Sequence, residues 1–317
     1  MKTKELKLER EIGVMPSFKS YFLEKVIKLT AKSVGGKSLE KRGIAERRQK
    51  LDAASKRLRM PENCLVEPLR IEGIYAEWLS YNDSPDDKVI LYLHGGGYGY
   101  CSVQTHRTLA AGIGKAAGVM VIIPDYRLAP EHPFPAAIED AVRAYRWLLE
   151  QGFHSSQIIF AGDSAGGGLS IATALVLRDQ NEPLPAALVC LSPWVDLTSS
   201  GQSYQKNESV DPYLNVDGVR KTARMYAGEA ALDHPLISPV FADLADLPPL
   251  FIQVGSHEIL QSDAEMLAAA ARHAGVTVKL KVWDGMWHVW QMSGDFIPEA
   301  RRAIKEIGDF VKWTFRD

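Results

Sequence analysis

The 317-residue chain has little of what marks several protein classes. It holds three cysteines, Cys64, Cys101 and Cys190, too few and too scattered for a disulfide framework or a zinc site. They read as reduced thiols of a cytoplasmic protein, with Cys101 beside a glycine-rich motif and so a candidate for a reactive or site-lining thiol. No apolar run reaches about 18 residues, so no transmembrane span is expected. The first ten residues, Met1 to Arg10, lack the apolar core of a signal peptide. A net charge of -2 gives no reason to expect nucleic acid or an anionic membrane as partner. Repeats and low-complexity tracts are absent. What remains is 46% hydrophobic and 24% charged residues, the balance of an ordinary globular chain, and enough length to bury a large core.

Two regimes follow one another. Residues 1–60 are rich in Lys, Arg and Glu. Phe18, Tyr21, Phe22, Val26, Ile27 and Leu29 form an apolar stripe at helical spacing. Ser33-Val34-Gly35-Gly36 breaks it, and a second charged helix is expected over about 39–59. These read as surface helices packed on the main domain, or as a lid over a pocket. The mixed charges argue against a membrane-surface helix. From about residue 65 the pattern changes. One or two strands are expected over 66–79, then short apolar runs at 89–93, 119–123, 158–160, 187–191, 250–254 and 278–282. Helical stretches separate most of them, at 106–117, 136–151, 165–180 and 262–274, with a last one at 298–315. Such alternation predicts an α/β fold with a mostly parallel sheet of about eight strands and helices on both faces. The polar segment 197–235 breaks the alternation and reads as an insertion at the C-terminal edge of the sheet.

The most informative segment is Gly162-Asp163-Ser164-Ala165-Gly166, between the run Ile158-Ile159-Phe160 and a helix-like stretch. A serine in so tight a strand-to-helix turn is pushed out of the regular backbone, and the flanking positions have no room for side chains. A helix N-terminus behind it favours developing negative charge. Upstream, His94-Gly95-Gly96-Gly97 directly follows a strand. Its glycines let backbone N–H groups point into one space, as an oxyanion hole requires. Gly96 and Gly97, with Ala165, are the candidate donors. His94, Gly95 and Asp163 are supporting positions, His94 as a brace for the loop.

Acyl transfer also needs a general base and an acid that orients it. His288 follows the last strand in Trp287-His288-Val289-Trp290 and is the candidate base. The acid should follow the strand at 250–254, where Gly255-Ser256-His257-Glu258 and Asp263 offer two carboxylates. Glu258, on the loop, is the first choice. Asp263, at the start of the next helix, is the alternative, although it also suits a first-turn charge. The order Ser164, Glu258, His288 is that of an α/β-hydrolase fold. The reading needs no cofactor and no metal.

The motifs above, with Asp125-Tyr126-Arg127-Leu128-Ala129-Pro130-Glu131, Pro133-Phe134-Pro135-Ala136-Ala137 and Ser192-Pro193-Trp194-Val195-Asp196, resemble the hormone-sensitive-lipase-like branch of the α/β-hydrolases, the bacterial type IV esterases. The resemblance covers roughly residues 65–315. It implies a serine carboxylesterase acting on short-to-medium acyl chains through an acyl-enzyme. It also implies a helical cap built from residues 1–60 and an insertion at about 197–235, on a catalytic domain spanning 61–317. A small-molecule ester is the implied partner, without nucleic acid or stable membrane insertion, and a homodimer through an edge strand near the C-terminus is compatible with it. The Asp-Tyr-Arg segment is expected to act as scaffold through pairing of Arg127 with Glu131. One position departs from the pattern: the branch usually has aspartate where this chain has Glu258. Alternatives are a lipase, thioesterase or amidase, a ligand-binding relative without catalysis, which would lack the base histidine, and an interaction domain.

Overall fold

A computed structural model describes residues 9–10, 16–34, 43–85 and 87–316. A short strand β1 (Glu9–Arg10) and helices α1 (Phe18–Val34) and α2 (Ile44–Ser55) come first. A hairpin of β2 (Leu65–Ile71) and β3 (Ile74–Ser80) follows. Strands and helices then alternate: β4 (Val89–Leu93), α3 (Val103–Ala117), β5 (Met120–Pro124), α4 (Ala136–Glu150), β6 (Ile158–Asp163), α5 (Ala165–Asp179) and β7 (Ala187–Leu191). Two helices, α6 (Ser203–Lys206) and α7 (Val216–Ala227), interrupt the alternation before β8 (Leu250–Gly255). The chain ends with α8 (Gln261–His273), β9 (Val278–Trp283) and α9 (Pro298–Thr314).

The strands form one sheet in the order β1-β9-β8-β7-β6-β4-β5-β3-β2. Pairings from β1 through β5 are parallel, and β3 and β2 join antiparallel. Eight strands match the expectation. The ninth, β1, lies beside the last strand, with Glu9 opposite Lys281 and Arg10 opposite Val282. It therefore occupies part of the C-terminal edge that the family resemblance offered for a dimer.

Alternation along each strand sorts side chains to two faces. Leu91, Leu93 and Phe160 pack with α4, α5 and α8 on one face, while Ile90, Tyr92 and Ile159 pack with α3 and α9 on the other. Every residue of β4, β6, β7 and β8 is buried, as a parallel sheet covered on both faces requires. A third cluster, of Trp283, Met286, Trp287 and Trp290, lies behind the loop that follows β9.

The N-terminal helices depart from the expected packing. Leu23 and Ile27 of α1 contact the tryptophan cluster, and Ser20 and Glu24 are buried. Phe18, Tyr21, Phe22 and Leu29 point outward. Of the expected stripe, Ile27 packs inward and the other members do not. Polar anchors set the rotation of the helix: the Ser17 N–H and Ser20 hydroxyl donate to Glu299 of α9 at 2.7 and 2.6 Å, and Glu24 meets His257 at 3.2 Å. Helix α2 begins at Ile44, so its expected start at 39–42 lies outside the described residues.

Phe160 is fully buried in the central strand β6, with its ring edge-on to Tyr145 of α4. Phe160→Ala should lower unfolding free energy by about 3–5 kcal/mol, read from urea unfolding.

Candidate active site

The turn from β6 into α5 places Ser164 at φ 53° and ψ -121°, a region that costs a non-glycine residue about 1–3 kcal/mol. Neighbouring strands hold it there. The Ser164 N–H donates to Leu191 O at 2.8 Å, and Ser164 O accepts from Trp194 N at 2.9 Å. Close approach to β4 accounts for the glycine at 166: a Cβ there would lie 1.9 Å from Leu93 O. The hydroxyl thus stands at the C-terminal end of the central strands, where open α/β sheets present their sites.

The loop after β4 lies beside this turn. Gly96 and Gly97 both have positive φ, 111° and 60°. No acceptor among the described residues takes the N–H of Gly96, Gly97 or Ala165. The loop is braced from behind. Tyr126 stacks on His94 at 4.2 Å between centroids and donates its hydroxyl to His94 O at 2.6 Å, and His94 Nδ1 donates to Gly95 O at 2.8 Å. Burial, with the charge of His106, lowers the His94 pKa to about 3, so its ring is neutral. Asp163 ties the loop to the serine turn, accepting from Gly95 N at 3.2 Å, from Tyr92 at 2.7 Å and from His106 at 3.2 Å. Burial works against its charge, but His106 and the Tyr92 hydrogen bond outweigh burial and hold the carboxyl below its usual range.

The two candidate acids have separate surroundings. Glu258 is fully buried and its Oε2 meets His288 Nδ1 at 2.9 Å. Its Oε1 accepts from Gly255 N at 2.6 Å and from the Ser192 hydroxyl at 2.7 Å. With Nδ1 donating to Glu258, Nε2 of His288 is left as the proton acceptor. Burial opposes the charged imidazolium, but the hydrogen bond and charge of Glu258, with Asp211 and Asp163, raise the His288 pKa. Asp263 turns elsewhere. Its Oδ2 accepts from the backbone N–H of Val195 and Asp196 at 3.1 and 2.9 Å. Its Oδ1 is buried without a hydrogen-bond partner among the described residues. Burial and the charge of Asp196 push this carboxyl well above its usual range. Asp263 thus faces the 195–196 backbone, and Glu258 faces His288.

Sequence reasoning assigned no role to Ser192, which links the parts. Its N–H donates to Gln253 O at 2.7 Å, and its hydroxyl reaches Glu258 while accepting from Val289 N at 3.2 Å. Its φ of 46° is a second strained position. The signal available was its place in Ser192-Pro193-Trp194, with no indication of what it touches. His106 and Asp211 were missed as well. Asp211 accepts from Ile259 N at 2.9 Å and so fastens the segment before α7 to the Glu258 loop.

One further expectation is corrected by contacts. Arg127 does not pair with Glu131; it holds Asp140 at 2.8 Å and Glu139, while Glu131 pairs with Arg48 of α2 at 2.8 Å. The reason is geometric, since Asp140 is buried and also accepts the Arg127 N–H. Burial pushes the Cys101 thiol up to about 12, which disfavours its thiolate form. Among the described residues, no group of three His, Cys, Asp or Glu suits a metal ion, and no helix is long and apolar enough to cross a membrane.

Ser192→Ala removes one hydrogen bond to a carboxylate and one to the His288 loop, each worth about 1–3 kcal/mol. Turnover should fall about tenfold to a hundredfold with the fold intact, read from steady-state kinetics beside a thermal melt.

Residues 90–292 match the family model described as the alpha/beta hydrolase fold. The chain is 47% identical over 237 residues to an acetyl-hydrolase of Streptomyces hygroscopicus, covering 75% of this chain and 79% of that protein. It is 34% identical over 295 residues to an esterase of Acinetobacter venetianus, covering 93% and 96%. A crystal structure of an esterase from the bacterial hormone-sensitive lipase family superposes with a TM-score of 0.89 at 42% identity, covering 95% of this chain and 100% of that one. Both the strained serine turn and these likenesses place the chain in one family: it belongs to the α/β-hydrolases, in their hormone-sensitive-lipase-like esterase branch.

Proposed function

We propose that this chain hydrolyses carboxylic esters, with Ser164 as nucleophile, His288 as general base and acid, and Glu258 as the carboxylate that orients His288. One observation carries the assignment. A continuous hydrogen-bonded path runs from the Ser164 N–H to Leu191, through the next residue Ser192, to Glu258 and on to His288. It ties nucleophile, base and acid to the ends of adjacent strands.

In the first half-reaction the Ser164 oxygen attacks the ester carbonyl carbon as His288 Nε2 takes its proton. The N–H groups of Gly96, Gly97 and Ala165 hold the resulting oxyanion, one such donor being worth about 3–4 kcal/mol of barrier. The C–O bond then breaks, and the alcohol leaves with the proton from His288. In the second half-reaction water attacks the acyl-enzyme, His288 takes the water's proton and returns it to Ser164, and the acid is released.

Residues 1–60 and about 197–235 act as a two-part cap over residues 61–317 in this reading. Support comes from α7: a Cβ at Gly97 would meet Thr222 Cγ2 at 2.6 Å, and Tyr226 stacks on Tyr98 at 3.6 Å. Support on the other side comes from α2, where Arg48 donates to Gly99 O and Ala129 O. The crowding of Gly97 by Thr222 and Trp194 favours short-to-medium acyl chains. Three unpaired cysteines favour a cytoplasmic setting. A homodimer across the β9 edge would have to include or displace β1, which sedimentation velocity on the protein and on a chain lacking residues 1–15 decides.

Ser164→Ala should reduce nitrophenyl acetate hydrolysis by about 10⁴-fold or more, and substantial residual turnover would remove the serine mechanism. Glu258→Ala should cost far more activity than Asp263→Ala when each is compared at equal folded fraction; the reverse order would reassign the acid.

The pH profile follows from the raised His288 pKa. His288 acts as base only when neutral, so kcat/KM falls as pH drops through its pKa. That acidic limb should lie above the ordinary imidazole value of about 6.5. Glu258→Gln removes the charge that favours imidazolium and should move the limb to lower pH. A limb unmoved by this change would show that Glu258 does not set the base.

A further inference from the structure

The outward face of α1 has no counterpart in the mechanism. Phe18 is 81% exposed, Leu29 70%, Phe22 57% and Tyr21 56%. At about 100° per residue, Phe18, Phe22, Lys25 and Leu29 fall on one line along the helix, with Tyr21 and Lys19 at its margins. Isolated apolar residues on a surface are ordinary, but two phenylalanines and a leucine aligned on one helix face, with a single lysine among them, mark an interaction surface.

Charge identifies what the stripe meets. In the sequence, α1 mixes Lys19, Glu24, Lys25 and Lys28. The fold separates them. Glu24 is buried, at 3.2 Å from His257 and 3.0 Å from Lys28. The charges left on the outward face over Phe18 to Leu29 are Lys19 and Lys25, with the Lys25 Nζ 5.1 Å from the centre of the Tyr21 ring. The surrounding sequence has the same sign: residues 1–60 hold 17 Lys and Arg against 7 Asp and Glu, in a chain with 37 against 39 overall. Exposed aromatics and leucine beside the cations Lys19 and Lys25 suit the boundary between acyl chains and anionic headgroups.

We propose that the outward face of α1 docks the protein on an anionic lipid surface, with Phe18, Phe22 and Leu29 entering the acyl boundary and Lys19 and Lys25 facing the headgroups. The inward face keeps the helix beside the candidate site: Glu24 contacts His257, the neighbour of Glu258, and Leu23 and Ile27 rest on the cluster containing Trp287, the neighbour of His288. Docking would therefore bring the base loop to esters dissolved in the lipid. That consequence rests on the esterase reading; docking itself does not.

Full-length Ser164→Ala protein, which leaves the lipid esters intact, is sedimented with vesicles of mixed phosphatidylglycerol and phosphatidylcholine and with vesicles of phosphatidylcholine alone. Binding should favour the anionic vesicles and weaken with added salt. Phe18→Ser with Phe22→Ser should weaken it about tenfold or more at an unchanged melting temperature. Lys25→Glu, a milder exposed change, should weaken it at least about fivefold. Equal binding to both vesicle types, or binding that neither variant lowers, overturns the proposal. A fall from dimer to monomer on Phe18→Ser and Phe22→Ser, without vesicle binding by the parent, would assign the face to a second copy of the chain and equally overturn it. Since no hydrolysis is read, the outcome is independent of the nitrophenyl acetate assay.

Discussion

The site depends on one crowded turn. Ser164 adopts a backbone conformation that it would leave if it were free, and its neighbours do not let it. Leu191 O takes its N–H, Trp194 N takes its carbonyl, and Leu93 O lies so near Gly166 that no Cβ fits between them. Strands on both sides of β6 are therefore needed to keep the serine in place. The strain is local, whereas the constraint that sustains it is spread over three parallel strands.

Around this turn the chain buries several carboxyl groups and gives each a different task through its partners. Asp163 faces His106, Tyr92 and Gly95 and remains charged, binding the glycine loop to the serine turn. Glu258 faces His288, Ser192 and Gly255. Asp263 faces two backbone N–H groups and the charge of Asp196, which with burial pushes its carboxyl well above the usual range. Composition does not distinguish these groups. The number and polarity of the donors around each one decide whether it holds a proton, an imidazole or a loop.

Much of this was legible because it is written in local pattern. Apolar runs of five or so residues, bounded by turns, mark buried parallel strands, and Gly-Asp-Ser-Ala-Gly after such a run marks the turn. The order of serine, carboxylate and histidine follows the order of the strands. Pairings across the fold were less legible. Arg127 was read with the nearby Glu131, but the buried Asp140, in the next helix, needs a cation more. Glu258 and Asp263 are five residues apart, and no spacing rule tells which of them turns to the histidine loop. Ser192 connects Glu258 to Val289 across 66 and 97 residues, a separation at which sequence carries no geometric signal.

The sequence by itself determined the alternation of strand and helix, the serine turn, the glycine loop and the family, because hydrophobic period and steric demand act over a few residues. Tertiary structure alone decided which carboxylate meets His288 and which face of α1 is hidden. In the sequence that helix is an aromatic stripe with mixed charges. Folding turns its one acid inward, toward His257, and leaves Phe18, Tyr21, Phe22, Lys19 and Lys25 outside. Helical period prescribes that a face exists; only partners brought from distant parts of the chain choose the direction in which it points.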